Sequence, residues 1–282
     1  MSRENLLACQ SRAGILTKPL NNLFFKCQEV ADHNWMRESN TKTEDDIPDI
    51  LTRIWNNWRT DEGQGPCQGC PAHWSNRADL PGTPGTRTTT YNTAPWYGLG
   101  STNPDIAVLG LEPGTIKDEK IDPEKDLRKQ SFEQRRDTDI ANVARTGTYT
   151  LNSLAPFFEH LTEAGQKLYW SQVRKCNELE EGGNGAARDH CCGTSGHDGY
   201  LREELATLKP EYVVVLGEIA FEKATELYQL NPQWKDVYSK EIARGDPPTG
   251  LRILDVDKKF TLIPAPHPGQ GWSHLPNLSF ER

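Results

Sequence analysis

Two short apolar runs, each closed by a glycine, most limit what this chain can fold into. Tyr212-Val-Val-Val-Leu-Gly217 is β-branched through its centre, and Asp105-Ile-Ala-Val-Leu-Gly110 has the same character before a turn carrying Pro113 and Gly114. Runs of this length without polar alternation predict strands buried on both faces. Further strands are expected over residues 167–173, 252–255 and 260–263. Helical patterns lie between and before them. From 47 to 58 the residues Ile47, Ile50, Leu51, Ile54, Trp55 and Trp58 recur at three- and four-residue steps, and helices are also expected over 151–161, 201–208 and 220–230. Strand and helix in alternation predict an α/β fold with a mostly parallel sheet covered by helices on both faces.

The rest of the chain has a different texture. Residues 1–60 read as a partly helical N-terminal extension, polar and irregular up to the acidic Glu44-Asp45-Asp46. Residues 61–100 are rich in Gly, Pro, Thr and Asn and read as a long loop, ordered by something other than repeating backbone bonds. Residues 116–146 are highly charged and read as a solvent-facing insertion in a domain spanning 61–282. A chain of 282 residues has room for one or two domains and a sizeable core.

Composition narrows the function classes. Hydrophobic residues make up 35% of the chain, yet no stretch approaches the roughly 18 consecutive apolar residues of a membrane span. The opening Met-Ser-Arg-Glu does not read as a signal peptide, so an intracellular, cytoplasmic protein is expected. Seven cysteines in such a chain point to thiols or metal ligands rather than disulfides. The net charge of -8 is the wrong sign for a protein that coats nucleic acid, although phosphate contact needs only a local basic track.

The candidate chemistry is carried by cysteines and by two strand ends. Cys67 and Cys70 form a C-x-x-C, and Cys176 is followed by the doublet Cys191-Cys192. Four thiolates suit a 4Fe-4S cluster or tetrahedral zinc, with free thiols as the plain alternative. A metal centre at Cys67 and Cys70 would supply order to the loop around it. Gly110-Leu-Glu-Pro-Gly114 and Ala265-Pro-His-Pro-Gly269 both follow predicted strands. Ligands in open α/β sheets sit outside the carboxyl ends of the strands, so Glu112 and His267 are candidates to face one pocket, with an ordinary Gly-Pro turn and a solvated Glu as the plain alternatives.

In order along the chain stand the C-x-x-C, Tyr97-Gly-Leu-Gly100, the turn at 110–114, Lys175-Cys176, a further Cys, Tyr200-Leu201, Leu208-Lys-Pro210, Val213-Val-Val-Leu-Gly217 and His267-Pro268. This ordered set resembles the uracil-DNA glycosylase superfamily, in particular its iron-sulfur members of the family 4 and 5 type. The likeness runs from about Cys67 to about Gly269. It implies a three-layer α/β/α domain with a central, mostly parallel four-stranded sheet. It also implies a monomer acting on DNA that contains uracil or another deaminated base, in base excision repair at the nucleoid.

Carried over residue by residue, the resemblance makes Cys67, Cys70, Cys176 and either Cys191 or Cys192 the ligands of a structural 4Fe-4S cluster, with zinc as the alternative. Glu112 stands where other members carry an Asp that orients water, and Leu111 stands where family 4 has a Glu. A carboxylate here can position water and stabilise an oxocarbenium-like sugar. His267 would hydrogen-bond the uracil O2 and stabilise the departing anion, beside Pro268. Gly110 and Pro113 would line the base pocket, and Tyr149 would stack on the flipped base, if it is more than an ordinary core or surface tyrosine. Gln172 stands where the family has a base-reading Asn; it offers the same amide on a longer stem, so uracil fits and other lesions stay open. No Lys occupies either motif, which favours water over a Schiff-base nucleophile. Trp272 and Leu275 are candidate wedges into the duplex. Two other readings remain: a DNA-binding or damage-sensing protein of the same fold that has lost turnover, and an unrelated cysteine-rich metalloprotein.

Overall fold

Four buried strands form the middle of one sheet. The structure is a computed structural model and describes residues 49–78, 82–96, 98–111, 113, 126–136, 158, 165–176, 199–230, 233–234, 254–256 and 260–266. All of these lie in one compact unit, Trp35–Arg282. The strands are β1 (Leu99–Gly100), β2 (Ile106–Gly110), β3 (Leu168–Gln172), β4 (Tyr212–Leu216), β5 (Leu254–Val256) and β6 (Phe260–Ala265). Their order is β1-β3-β2-β4-β6-β5. β2 pairs in parallel with β3 and β4, β4 with β6, and the short edge strands β1 and β5 run antiparallel.

The architecture is thus α/β with a mostly parallel sheet, as the alternating pattern predicts. The strand count differs from the expected four: a parallel core of four carries one antiparallel strand at each edge. β1 lies in the Gly-rich Tyr97-Gly-Leu-Gly100 stretch, whose two paired residues are too few to leave a period in the sequence. β2 and β3 are buried at every position, so neither face of the sheet centre is open to water. Pro264 lies within β6 beyond its last pair with β5, at Leu262, where a missing N–H on that side is tolerated.

Helices α1 (Asp49–Trp58), α2 (Arg87–Thr93), α3 (Tyr200–Leu208) and α4 (Glu218–Leu227) accompany the sheet. Helix α1 buries Ile50, Leu51, Ile54, Trp55 and Trp58, the stripe read from periodicity, and contacts α3. Leu208 ends α3 against Lys209 in the left-handed region, with Pro210 next. Gly217 turns β4 into α4 at φ 88°, a conformation glycine adopts without strain.

Residues 61–100 are not one long loop. They contain 3-10 turns at Gly65–Cys67 and Trp74–Asn76, and helix α2. The threonines of α2 have weak helix propensity; they are held by burial of Thr89, Thr90 and Thr93 and by hydroxyl bonds from Thr90 to the Arg87 carbonyl and from Thr93 to the Thr89 carbonyl. Side chains order the segment before it. The Trp58 carbonyl at the end of α1 accepts from His73 Nε2 at 2.8 Å and from Trp74 Nε1 at 3.0 Å. That bond makes Nε2 the protonated ring nitrogen, and burial pushes the imidazole below its ordinary value.

Candidate functional site

The carboxyl ends of the parallel strands bring Gly110 and Gln172 together. They are register partners at the last rung of the β2–β3 ladder. The pairing continues past the strands, because Val173 N–H donates to the Gly110 carbonyl and Arg174 N–H to the Leu111 carbonyl, each at 2.8 Å. The turn after β2 is therefore held by the residues that follow β3. Numbered among themselves, the parallel strands run 2-1-3-4, so the connections reverse direction between β2 and β4, the place where open α/β sheets leave a crevice.

Gln172 is 5% exposed, and among the described residues its Oε1 has no hydrogen-bond partner. A buried acceptor left in that state costs about 1–3 kcal/mol relative to a satisfied one. Its amide lies across Gly110, where a β-carbon would stand 2.2 Å from Oε1.

Behind Gln172 is a buried polar network that the sequence reading did not foresee. Glu204 of α3 accepts from Tyr169 Oη at 2.5 Å and Ser171 Oγ at 2.9 Å through Oε1, and from Lys175 Nζ through Oε2. Lys175 Nζ also donates to Ser171 Oγ at 2.8 Å. The Lys175 and Glu204 side chains are 1% and 0% exposed. Burial, and next the Glu204 charge, push the Tyr169 phenol well above its ordinary range. The network closes a short circuit over residues 169–175 and ties β3 to α3. One signal was available: Tyr200, Leu201, Glu204, Leu205 and Leu208 share the buried face of α3, so a carboxylate sits at an apolar position.

Cys67, Cys70 and Cys176 are all buried. Cys67 Sγ lies 3.4 Å from Tyr200 Oη, which accepts from Asn57 Nδ2 at 3.0 Å, so α1, the C-x-x-C and the start of α3 meet at one tyrosine. The Cys70 carbonyl accepts from His73 N–H and from Asn76 Nδ2, both at 3.0 Å. Cys176 follows Lys175, whose carbonyl accepts from Trp96 N–H at 2.6 Å. The donor type suits iron-sulfur or zinc chemistry. Among the described residues no three of His, Cys, Asp and Glu gather as a metal-holding group. The described cysteines therefore do not make a centre by themselves.

Glu112, Tyr149, Cys191, Cys192, His267 and Pro268 lie outside the described residues, as do Trp272 and Leu275. Pro113 is described and half-buried just beyond β2. No helix among the described residues is long and apolar enough to cross a membrane. No protein-family model matches the chain, and no curated protein matches it.

Proposed function

We propose that this protein is a DNA glycosylase of the uracil-DNA glycosylase superfamily, with a three-layer α/β/α domain, that hydrolyses the glycosidic bond of a flipped, deaminated base. The observation that carries the reading is the buried Gln172 side chain at the carboxyl ends of β2 and β3, whose Oε1 accepts no hydrogen bond from the described residues. Uracil presents adjacent N–H and C=O groups on one edge, the complement of a carboxamide. Entry of such an edge would satisfy Oε1 and help offset the few kcal/mol that base flipping requires.

In this reading Gln172 reads the base, Gly110 and Pro113 line the pocket, Tyr149 stacks on the base, and Glu112 orients water toward the sugar carbon. His267, beside Pro268, hydrogen-bonds the base O2 and stabilises negative charge as the bond to the sugar breaks. A 4Fe-4S cluster on Cys67, Cys70, Cys176 and Cys191 or Cys192 would act as a structural clamp, with zinc as the alternative metal, and no chemical step is assigned to it. DNA is the partner, and the protein acts as a cytoplasmic monomer.

The test is excision of uracil from a labelled single-site oligonucleotide by anaerobically purified protein, with alkaline cleavage to reveal abasic sites and iron and zinc measured in the same sample. Abasic product that is lost in Glu112→Gln is the expected result. Metal-replete protein that binds DNA but yields no product from uracil, hypoxanthine or mismatched substrates would replace this reading with a binding or sensing role.

A further inference from the structure

We infer that Gly110 is a specificity-determining position: the missing β-carbon at the end of β2 opens the space that the Gln172 carboxamide fills, so the pair sets how far that amide reaches toward a base. The inference rests on the glycosylase reading and deepens it. A β-carbon on Gly110 would stand 2.2 Å from Gln172 Oε1, 3.0 Å from Cδ and 3.2 Å from Nε2, so the whole amide, not only its tip, lies over the glycine. Gly110 does not occupy the left-handed region. Glycine is needed there for space and not for backbone conformation.

Gln172 is buried, so its amide can retreat from Gly110 only by displacing packed neighbours. Its backbone is locked on one side by Ser171, whose hydroxyl bonds Glu204 and Lys175, and on the other by the Val173 and Arg174 N–H bonds to residues 110 and 111. The side chain is buried, and its Oε1 accepts no hydrogen bond from the described residues. An amide whose oxygen is placed by packing responds directly to a methyl group added beneath it. Asparagine, one methylene shorter, would withdraw the amide from Gly110 and leave room for that methyl. Size at 110 and stem length at 172 are thus reciprocal, and together they set the base edge that is read.

The test is a double-mutant cycle of wild type, Gly110→Ala, Gln172→Asn and the double variant. Each is read by thermal unfolding and by single-turnover excision of uracil and of hypoxanthine. Gly110→Ala is expected to lower the unfolding temperature and to reduce uracil excision about tenfold, the scale of coupling between touching residues. The double variant should return to the Gln172→Asn values in both readouts, and the uracil-to-hypoxanthine ratio should follow the pair. If Gly110→Ala does not fold, a folded double variant is the same rescue, and an unfolded one overturns the inference. Strictly additive effects with active wild type overturn it and leave the glycosylase reading standing. Wild type that excises neither base overturns that reading, and the discriminating role falls with it.

Discussion

The two crossovers that leave the sheet centre are built from opposite materials. After β4 the chain enters α4 through Val213, Val214, Val215, Leu216, Ala220, Phe221 and Ala224, all buried and apolar. Around β3 and α3 the corresponding interior holds Tyr169, Ser171, Lys175 and Glu204, linked by four hydrogen bonds. Apolar packing is non-directional and tolerates small shifts, so it secures α4 without prescribing one position to high accuracy. A buried charged network gains little net stability over an apolar filling, but it is satisfied in only one arrangement. The segment it locks, 171–176, carries the candidate reading amide and a candidate ligand thiol. Placement is what that side of the sheet demands.

The sharpest way to break the comparison is to remove one charge. Glu204→Ala should destabilise the protein by about 3–5 kcal/mol in denaturant unfolding, because Lys175 is left buried and uncompensated. Lys175→Met combined with Glu204→Gln should recover much of that loss while lowering uracil excision, since stability returns and placement does not. On the apolar side, Val214→Ala should lose about 2–3 kcal/mol through lost transfer energy and a small cavity. No single partner substitution should restore it.

A smaller effect is expected from Tyr169→Phe, about 1.5 kcal/mol for one hydrogen bond to a carboxylate. The same phenol makes a pH prediction. Its pKa is raised in the fold, so its contribution is complete below the ordinary value of 10.0 and is lost as pH rises through and above it. Stability measured from about pH 10 upward should fall more steeply with pH in wild type than in Tyr169→Phe. The smallest effect belongs to a partly buried, sequence-local ion pair. Asp126 accepts from Arg128 Nε at 2.9 Å and Nη2 at 2.7 Å, and Arg128 holds its carboxyl below the ordinary value of 3.8. Asp126→Asn should cost under about 1 kcal/mol at neutral pH. The difference should vanish as pH falls through the depressed pKa, because this contribution exists only while the carboxylate is ionised. Equal losses at Asp126 and Glu204 would show that burial does not separate the two pairs.

Local pattern was enough to find the parallel strands, the stripe of α1 and the glycines that end β2 and β4, because each is written in the period or composition of a few neighbouring residues. It also marked Gly110 and Gln172 individually, as a strand end and an amide before Lys175-Cys176. It missed α2, whose threonines are poor helix formers held by burial, and β1, which is too short to show a period. The buried network was missed because Lys175 and Glu204 are 29 positions apart, and nothing local pairs them until α3 is laid beside β3.

The sequence by itself determined the class of fold and the points where the chain turns at the carboxyl ends of its strands, since periodicity and glycine act within a few residues. Only the tertiary structure decided that Gln172 lies across Gly110, that Glu204 answers Lys175, and that an antiparallel strand closes each edge of the sheet. Those facts depend on which distant segments become neighbours. That choice is made by the combined burial of all the strands and helices, and no single segment carries it.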